Sequence, residues 1–165
     1  MMGFFDKLMG KKTAKKVDLI YSPLIGTAVT LGEVNDPVFA EEMMGKGAAI
    51  IPTKGEVYAP CDGEVITVFR TLHAVTIKGD AGADVIIHVG IETVGLNGEH
   101  FTAHVIDGQL VKKGDLLLTF DLEAIEAAGY DMITPVVVIN SAEYGAIEKT
   151  NKKDVSNKDV LIELT

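Results

Sequence analysis

The chain has 165 residues, 47% of them hydrophobic, and a formal net charge of −9. A single core of that size buries roughly 70% of the unfolded surface, which excludes a disordered chain, and the acidity argues against nucleic acid as the main partner. One cysteine, Cys61, excludes an intrachain disulfide and points to a reducing, cytoplasmic compartment.

The first segment, "MMGFFDKLMGKKTAKK", holds Lys7, Lys11, Lys12, Lys15, Lys16 and one acid, Asp6. From Val17 on, 10 Lys and Arg stand against 23 Asp and Glu, a formal −13 that favours a basic partner. Phe4, Phe5, Leu8 and Met9 recur at helical spacing with lysines opposite, the pattern of a short interfacial helix on an anionic membrane. Gly10 and its shortness make such a helix marginal in water. Residues 1–16 are therefore expected to be a flexible or amphipathic N-terminal segment, giving peripheral membrane contact at the inner face. No run approaches the ~20 apolar residues of a membrane span.

The remainder, 17–165, reads as one domain. Short β-branched runs alternate with glycine turns: "VDLIY", "GTAVTL", "AAIIP", "GEVYAP", "GEVITVF", "HAVTIKGD", "ADVIIHVGI", "HFTAHVI", "QLVKKGDLLLTF", "TPVVVIN" and "VLIELT". That pattern predicts an all-β fold, an antiparallel β-sandwich or barrel-sandwich hybrid, with short helical segments. One helix is expected over "PVFAEEMMG", with Pro37 at its first position and Gly45 as its stop. The other is expected over "DLEAIEAAGY", with Asp121 as N-cap and Gly129 at its end. "YAPCDGEVITVF" and "GQLVKKGDLLLTF" also echo the two halves of a biotinyl or lipoyl carrier domain, although no modified-lysine hairpin tip is present.

Chemistry enters with the histidines. "DVIIHVGIETVG" puts His88 inside an apolar β-branched run. On a strand, Val85, Ile87 and Val89 share one face, and Asp84, Ile86 and His88 share the other, which Asp84 marks as the solvent side. "HAVTIK" and "ADVIIH" flank the turn residues Gly79, Asp80 and Gly82, so they form a hairpin. Its open end then brings His73 and His88 together. Thr71, two residues before His73, can reach a ring nitrogen of that histidine with its hydroxyl. A backbone carbonyl near Gly90 can hold one N–H of His88 and fix its tautomer. Two adjacent imidazoles are too few for a zinc site, and no serine elbow is present. What remains is a nucleophilic imidazole assisted by a second one, as in phosphoryl transfer. His100 and His104 read as surface polar residues, and Cys61 as a small buried one.

These stretches carry a resemblance. "HAVTIKGDAGADVIIHVGIETVGLNGEHF", "DPVFAEEMMGKGAAIIPTKGEVYAPCDGEV" and "VKKGDLLLTFDLEAI…TPVVV" strongly resemble the glucose-family enzyme IIA of the bacterial phosphoenolpyruvate–sugar phosphotransferase system, over roughly Val17 to Thr165. "GFFDKL" resembles the amphipathic start of stand-alone members. The resemblance implies an antiparallel β-sandwich and a phosphotransferase component of sugar transport. His88 would accept the phosphoryl group, with His73 supporting the transfer. Thr71 would orient His73, and the Gly90 carbonyl would orient His88. The donor would be the phosphocarrier HPr, and the recipient a cysteine of the IIB domain of a sugar permease. Val38, Phe39, Met43, Met44, Phe69, Ile86 and Val94 match an apolar ring around the family's site. Asp36 and Glu92 match acidic positions that meet basic residues of HPr, with Glu92 standing where relatives often carry Asp. No cofactor is implied. Some enteric relatives hold zinc between the two histidines and a partner's carboxylate, so zinc bridged by His73 and His88 is the one metal the resemblance offers. The competing readings are a carrier module without chemistry of its own, and a metal hydrolase that needs a third ligand near His73 and His88.

Overall fold

The computed structural model describes residues 17–165. The segment 1–16, expected to be flexible or amphipathic, lies outside the described residues. Fourteen strands follow in chain order: β1 (Asp18–Tyr21), β2 (Gly26–Val29), β3 (Lys46–Pro52), β4 (Glu56–Tyr58), β5 (Gly63–Val68), β6 (Ala74–Gly79), β7 (Asp84–His88), β8 (Phe101–Ala103), β9 (Leu110–Val111), β10 (Leu116–Phe120), β11 (Thr134–Val138), β12 (Ile147–Lys149), β13 (Asp154–Val155) and β14 (Val160–Leu164). An eight-stranded sheet runs β13-β2-β3-β11-β7-β6-β5-β9, and two three-stranded sheets run β1-β14-β12 and β4-β10-β8. Every strand pairing is antiparallel. The all-β sandwich read from the sequence is what forms, and all eleven expected runs carry strands.

The main core lies between the sheets. Val57, Leu117, Leu118, Ile162 and Leu164 of the small sheets meet Ile50, Ile77, Val85, Ile87 and Val136 of the large one, all with essentially no exposure. Period-two alternation puts the other set of side chains on the opposite face. There the sequence reading needs correction. Local alternation puts Ile86 with Asp84 and His88 on a solvent-facing side, but Ile86 is 4% exposed. It joins Leu31, Val34, Phe39, Ala49, Ile91, Ile133 and Val137 in a second apolar cluster. The segment from Leu31 to Ala40 folds over the outer face of the sheet and covers it. Val137 stands directly opposite Ile86 in the β11–β7 register, so β7 is buried on both faces at its centre.

The covering segment carries α1 (Pro37–Ala40). Asp36 caps it by accepting from the Val38 N–H at 3.0 Å, and Pro37 takes the first helical position, where its missing N–H costs nothing. The helix is shorter than expected. Glu42 adopts a left-handed conformation (φ 58°), its N–H bonds the Phe39 carbonyl, and Met43 N–H bonds the Val38 carbonyl. That pair of reversed bonds ends the helix before Gly45. Gly45 (φ 137°) instead turns the chain into β3. The second helix, α2 (Leu122–Ala127), forms as read: Asp121 accepts from the Ala124 N–H at 3.0 Å, and Gly129 is left-handed. Two edge strands, β12 and β13, have no counterpart in the sequence reading.

Candidate functional site

The β6–β7 hairpin sets the site. Its register pairs Ala74 with His88, and Val89 N–H donates to the His73 carbonyl at 2.7 Å. The two histidines therefore lie at the same open end on adjacent strands. Their rings meet edge to face, 84° apart in plane, with centroids separated by 4.8 Å.

His73 and Thr71 are presented by the tight connection between β5 and β6. Phe69 N–H bonds the Ala74 carbonyl and Leu72 N–H bonds the Phe69 carbonyl, at 3.0 and 2.7 Å. Leu72 adopts φ 62°, an unfavourable conformation for a branched residue, and its side chain packs on the main core. Partial burial of Leu72 against that core offsets part of the strain, and Thr71 faces back towards His73. Its hydroxyl lies 2.7 Å from His73 Nδ1.

His88 is held differently. Its Nδ1 is 2.8 Å from the Gly90 carbonyl oxygen. A carbonyl only accepts, so Nδ1 carries the proton, and the neutral ring keeps its lone pair on Nε2. Gly90 adopts φ 77°, which turns its carbonyl back onto the ring two residues earlier.

Aromatic rings wall the pair. Phe39 packs on His88 with centroids 5.0 Å apart, and Phe69 meets His73 edge to face at 5.6 Å. Phe39 belongs to the second apolar cluster with Ile86, and Met44 and Phe69 pack against it. Phe39 and Phe69 thus stand against the histidines, and Ile86 and Met44 belong to the apolar cluster behind them. Val38, Met43 and Val94 stand out into solvent at 40%, 69% and 53% exposure. Val94 lies in a 3-10 turn (Thr93–Leu96) directly after Glu92, which is left-handed at φ 61°. A cleft of about 480 Å³ opens beside Met43 and Met44, but neither histidine lines it.

Electrostatics keep both rings neutral. His73 is 4% exposed, and burial followed by the neighbouring His88 pushes its pKa down to about 4. Burial also lowers the pKa of His88, opposed by the Gly90 carbonyl and the Asp36 carboxylate, which favour its protonated form. At neutral pH, Nε2 of His88 is a free nucleophilic lone pair in a mostly apolar setting.

The other candidates are engaged elsewhere. His104 Nε2 contacts Thr119 Oγ1 at 2.9 Å, and His100 lies 3.9 Å from Glu99. Cys61 is half-buried, less enclosed than expected; burial and then Asp18, Asp62 and Asp80 push its pKa up to about 12, so it stays an unreactive thiol. Among the described residues no group of three or more His, Cys, Asp or Glu is placed to hold a metal ion.

Sequence reasoning missed one layer. Thr134, fully buried at the start of β11, accepts from the Gly90 N–H at 3.4 Å and donates to the Met132 carbonyl at 2.9 Å. Thr93, also fully buried, donates to the Val89 carbonyl. A threonine preceding a proline in a β-branched run reads only as a strand residue, so spacing carries no signal of this contact.

Comparison with known proteins agrees with this architecture. Residues 18–144 match the family described as phosphoenolpyruvate-dependent sugar phosphotransferase system, EIIA 1. The glucose-specific EIIA component of Bacillus cereus is 47% identical over 146 residues, covering 88% of each chain. The beta-glucoside-specific EIIBCA components of Dickeya chrysanthemi and Bacillus subtilis are 51% and 47% identical over 82% and 90% of this chain. Those relatives are longer, and the chain spans 21% and 24% of their length. The solved glucose permease IIA of Mycoplasma capricolum superposes with a TM-score of 0.84 at 33% identity, over 92% of this chain and 97% of that one. The chain belongs to the EIIA 1 family, the phosphotransferase components of the phosphoenolpyruvate-dependent sugar phosphotransferase system.

Proposed function

We propose that residues 17–165 form a phosphohistidine carrier of sugar uptake that takes a phosphoryl group from phospho-HPr on His88 and passes it to a cysteine of a IIB permease domain. The observation that carries this reading is the His88 Nδ1–Gly90 carbonyl bond, which leaves Nε2 as the lone pair beside His73.

In the first step Nε2 attacks phosphorus in line with the donor's N–P bond. That bond breaks and its electron pair returns to the donor nitrogen. The His88 ring, bonded through Nε2 and protonated on Nδ1, carries positive charge that the Gly90 carbonyl stabilises. His73, its ring oriented by Thr71, donates a hydrogen bond to the phosphoryl oxygens, and this bond matters most as they leave His88 for the permease thiolate. In the second step the permease thiolate attacks phosphorus, and His88 regains its lone pair. Catalysis here is positioning and electrostatics.

Val38, Met43, Met44, Phe69 and Val94 act as the apolar collar that meets both partners, backed from beneath by the buried Phe39 and Ile86. Exposed methionine adapts to unlike surfaces, and closing the collar excludes water from the phosphohistidine. Asp36 and Glu92 steer the basic donor. Residues 1–16 add peripheral contact with the inner face of the membrane. No cofactor takes part; zinc bridged by His73 and His88 would need at least one ligand from a partner.

The test is an intact mass taken at neutral or basic pH after incubation with phosphoenolpyruvate, enzyme I and HPr. One acid-labile phosphoryl group on the wild type and none on His88→Ala is expected. An unmodified wild type, or a modified His88→Ala, overturns the assignment.

A further inference from the structure

His73 and His88 meet at the open end of the hairpin, but what fixes the Gly90 carbonyl lies partly on another strand, β11. Beyond the end of β7, Val89 N–H still bonds the His73 carbonyl, while Gly90 and Ile91 lie outside the ladder. They are clamped from the side. Gly90 N–H donates to Thr134 Oγ1 at 3.4 Å, and Ile91 N–H donates to the Asp131 carbonyl at 2.8 Å. The Ile91 N–H and the Gly90 carbonyl belong to one peptide unit. Donation at its nitrogen end strengthens the acceptor at its oxygen end, where His88 Nδ1 binds. Thr134 holds the preceding peptide unit and hence the φ of 77° that aims this carbonyl.

The holder is itself held. Thr134 is fully buried, and its hydroxyl proton is committed to the Met132 carbonyl at 2.9 Å, so the oxygen faces Gly90 as an acceptor. Asp131 Oδ1 accepts from Ile133 N–H at 3.0 Å and sets the turn that presents both carbonyls. A valine at 134 would fill the same space and leave a buried N–H and a buried carbonyl without partners.

We infer that Thr134 is a positioning residue for His88: through the Gly90 peptide it fixes the Nδ1–H tautomer and so the reactive Nε2. This rests on the carrier reading for its consequence in transfer, though not for its effect on the ring.

The experiment labels the histidines with 15N and reads the His88 tautomer and titration by NMR on the unphosphorylated protein. Wild type, Thr134→Val, Thr134→Ser and Thr134→Ala are compared, and transfer from phospho-HPr is then timed. Wild type and Thr134→Ser are expected to hold His88 as the Nδ1–H form. Thr134→Val and Thr134→Ala are expected to give a mixed tautomer and an altered titration, with transfer slowed about tenfold to a hundredfold. Thr134→Ser and Thr134→Ala differ by the hydroxyl at nearly equal size, so the comparison survives if the valine variant folds poorly. An unchanged His88 tautomer and titration in Thr134→Ala overturns the inference, as does a Thr134→Ser variant that loses as much as Thr134→Ala. A wild type that shows the tautomer but takes no phosphoryl group overturns the carrier reading and leaves the positioning role standing.

Discussion

His73 and His88 stand 4.8 Å apart, centroid to centroid, and each is anchored through Nδ1 to a different kind of partner. A hydroxyl that can donate or accept faces His73, whereas a carbonyl that only accepts faces His88. The first partner leaves a ring able to supply N–H to an incoming oxygen; the second leaves a ring able to attack. The asymmetry predicts unequal losses. His73→Gln is expected to take up phosphoryl on His88 yet release it to the permease domain about 10²–10³-fold more slowly, the usual loss when one donor to a developing charge is removed. Rapid-quench transfer measured in both directions checks this, and equal slowing of uptake and release would remove the distinction between the two roles.

The pKa of His73 makes stability depend on pH in one direction. Its folded pKa, about 4, lies below the ordinary 6.5. Between those values the unfolded chain binds a proton that the folded chain refuses. The contribution is therefore full above pH 6.5 and is lost as pH falls towards 4. The loss reaches about 2–3 kcal/mol near pH 4.5, and the lowered pKa of His88 adds with the same sign. Urea unfolding at pH 7.5 and 4.5 should show wild type losing more than His73→Gln. A parallel loss in both proteins would mean that carboxylates alone set the acid limit.

The hairpin, its turn and the meeting of its two histidines are readable because two signals agree: apolar β-branched runs on both arms and the turn residues Gly79, Asp80 and Gly82 between them. Ile86 was misplaced because Asp84 and His88 are polar neighbours on its face, and local alternation does not show that a distant segment, Leu31 to Ala40, folds over that face. β12 and β13 went unread because they are three- and two-residue edge strands in a lysine-rich stretch, formed by pairing with β14 and β2 and not by their own patterning. Thr134 was invisible for a related reason. Its partner Gly90 is 44 residues away, and only tertiary structure joins them.

Asp36 serves two purposes that one substitution can separate. Its carboxylate caps α1 through the Val38 N–H and also favours the protonated form of His88. Asparagine caps a helix as well as aspartate does, so Asp36→Asn should leave stability unchanged within about 0.5 kcal/mol, whereas Asp36→Ala should lose about 1 kcal/mol. Only the charge differs between wild type and Asp36→Asn. The association rate with HPr is expected to fall severalfold at low ionic strength and to converge with wild type in high salt. A deficit that persists in high salt would point to a direct contact at Asp36 instead of steering.

Gly90 is the position where the backbone itself does the aiming. At φ 77° a Cβ would sit 2.7 Å from Thr93 Cγ2, 3.1 Å from Met132 Sδ and 3.2 Å from the Asp131 carbonyl. The methionine sulfur can give way, but the buried threonine and the backbone oxygen cannot without moving the turn that holds the Ile91 N–H. Left-handed strain of about 1–2 kcal/mol and overpacking of about 1–3 kcal/mol therefore combine in Gly90→Ala. The relief available is rotation of the Gly90 peptide, which carries its oxygen away from His88 Nδ1. The variant is expected to be less stable by about 2–5 kcal/mol in urea and also to accept phosphoryl poorly at temperatures where it is fully folded. Lost stability with wild-type uptake would mean that the imidazole finds its reactive tautomer without the carbonyl.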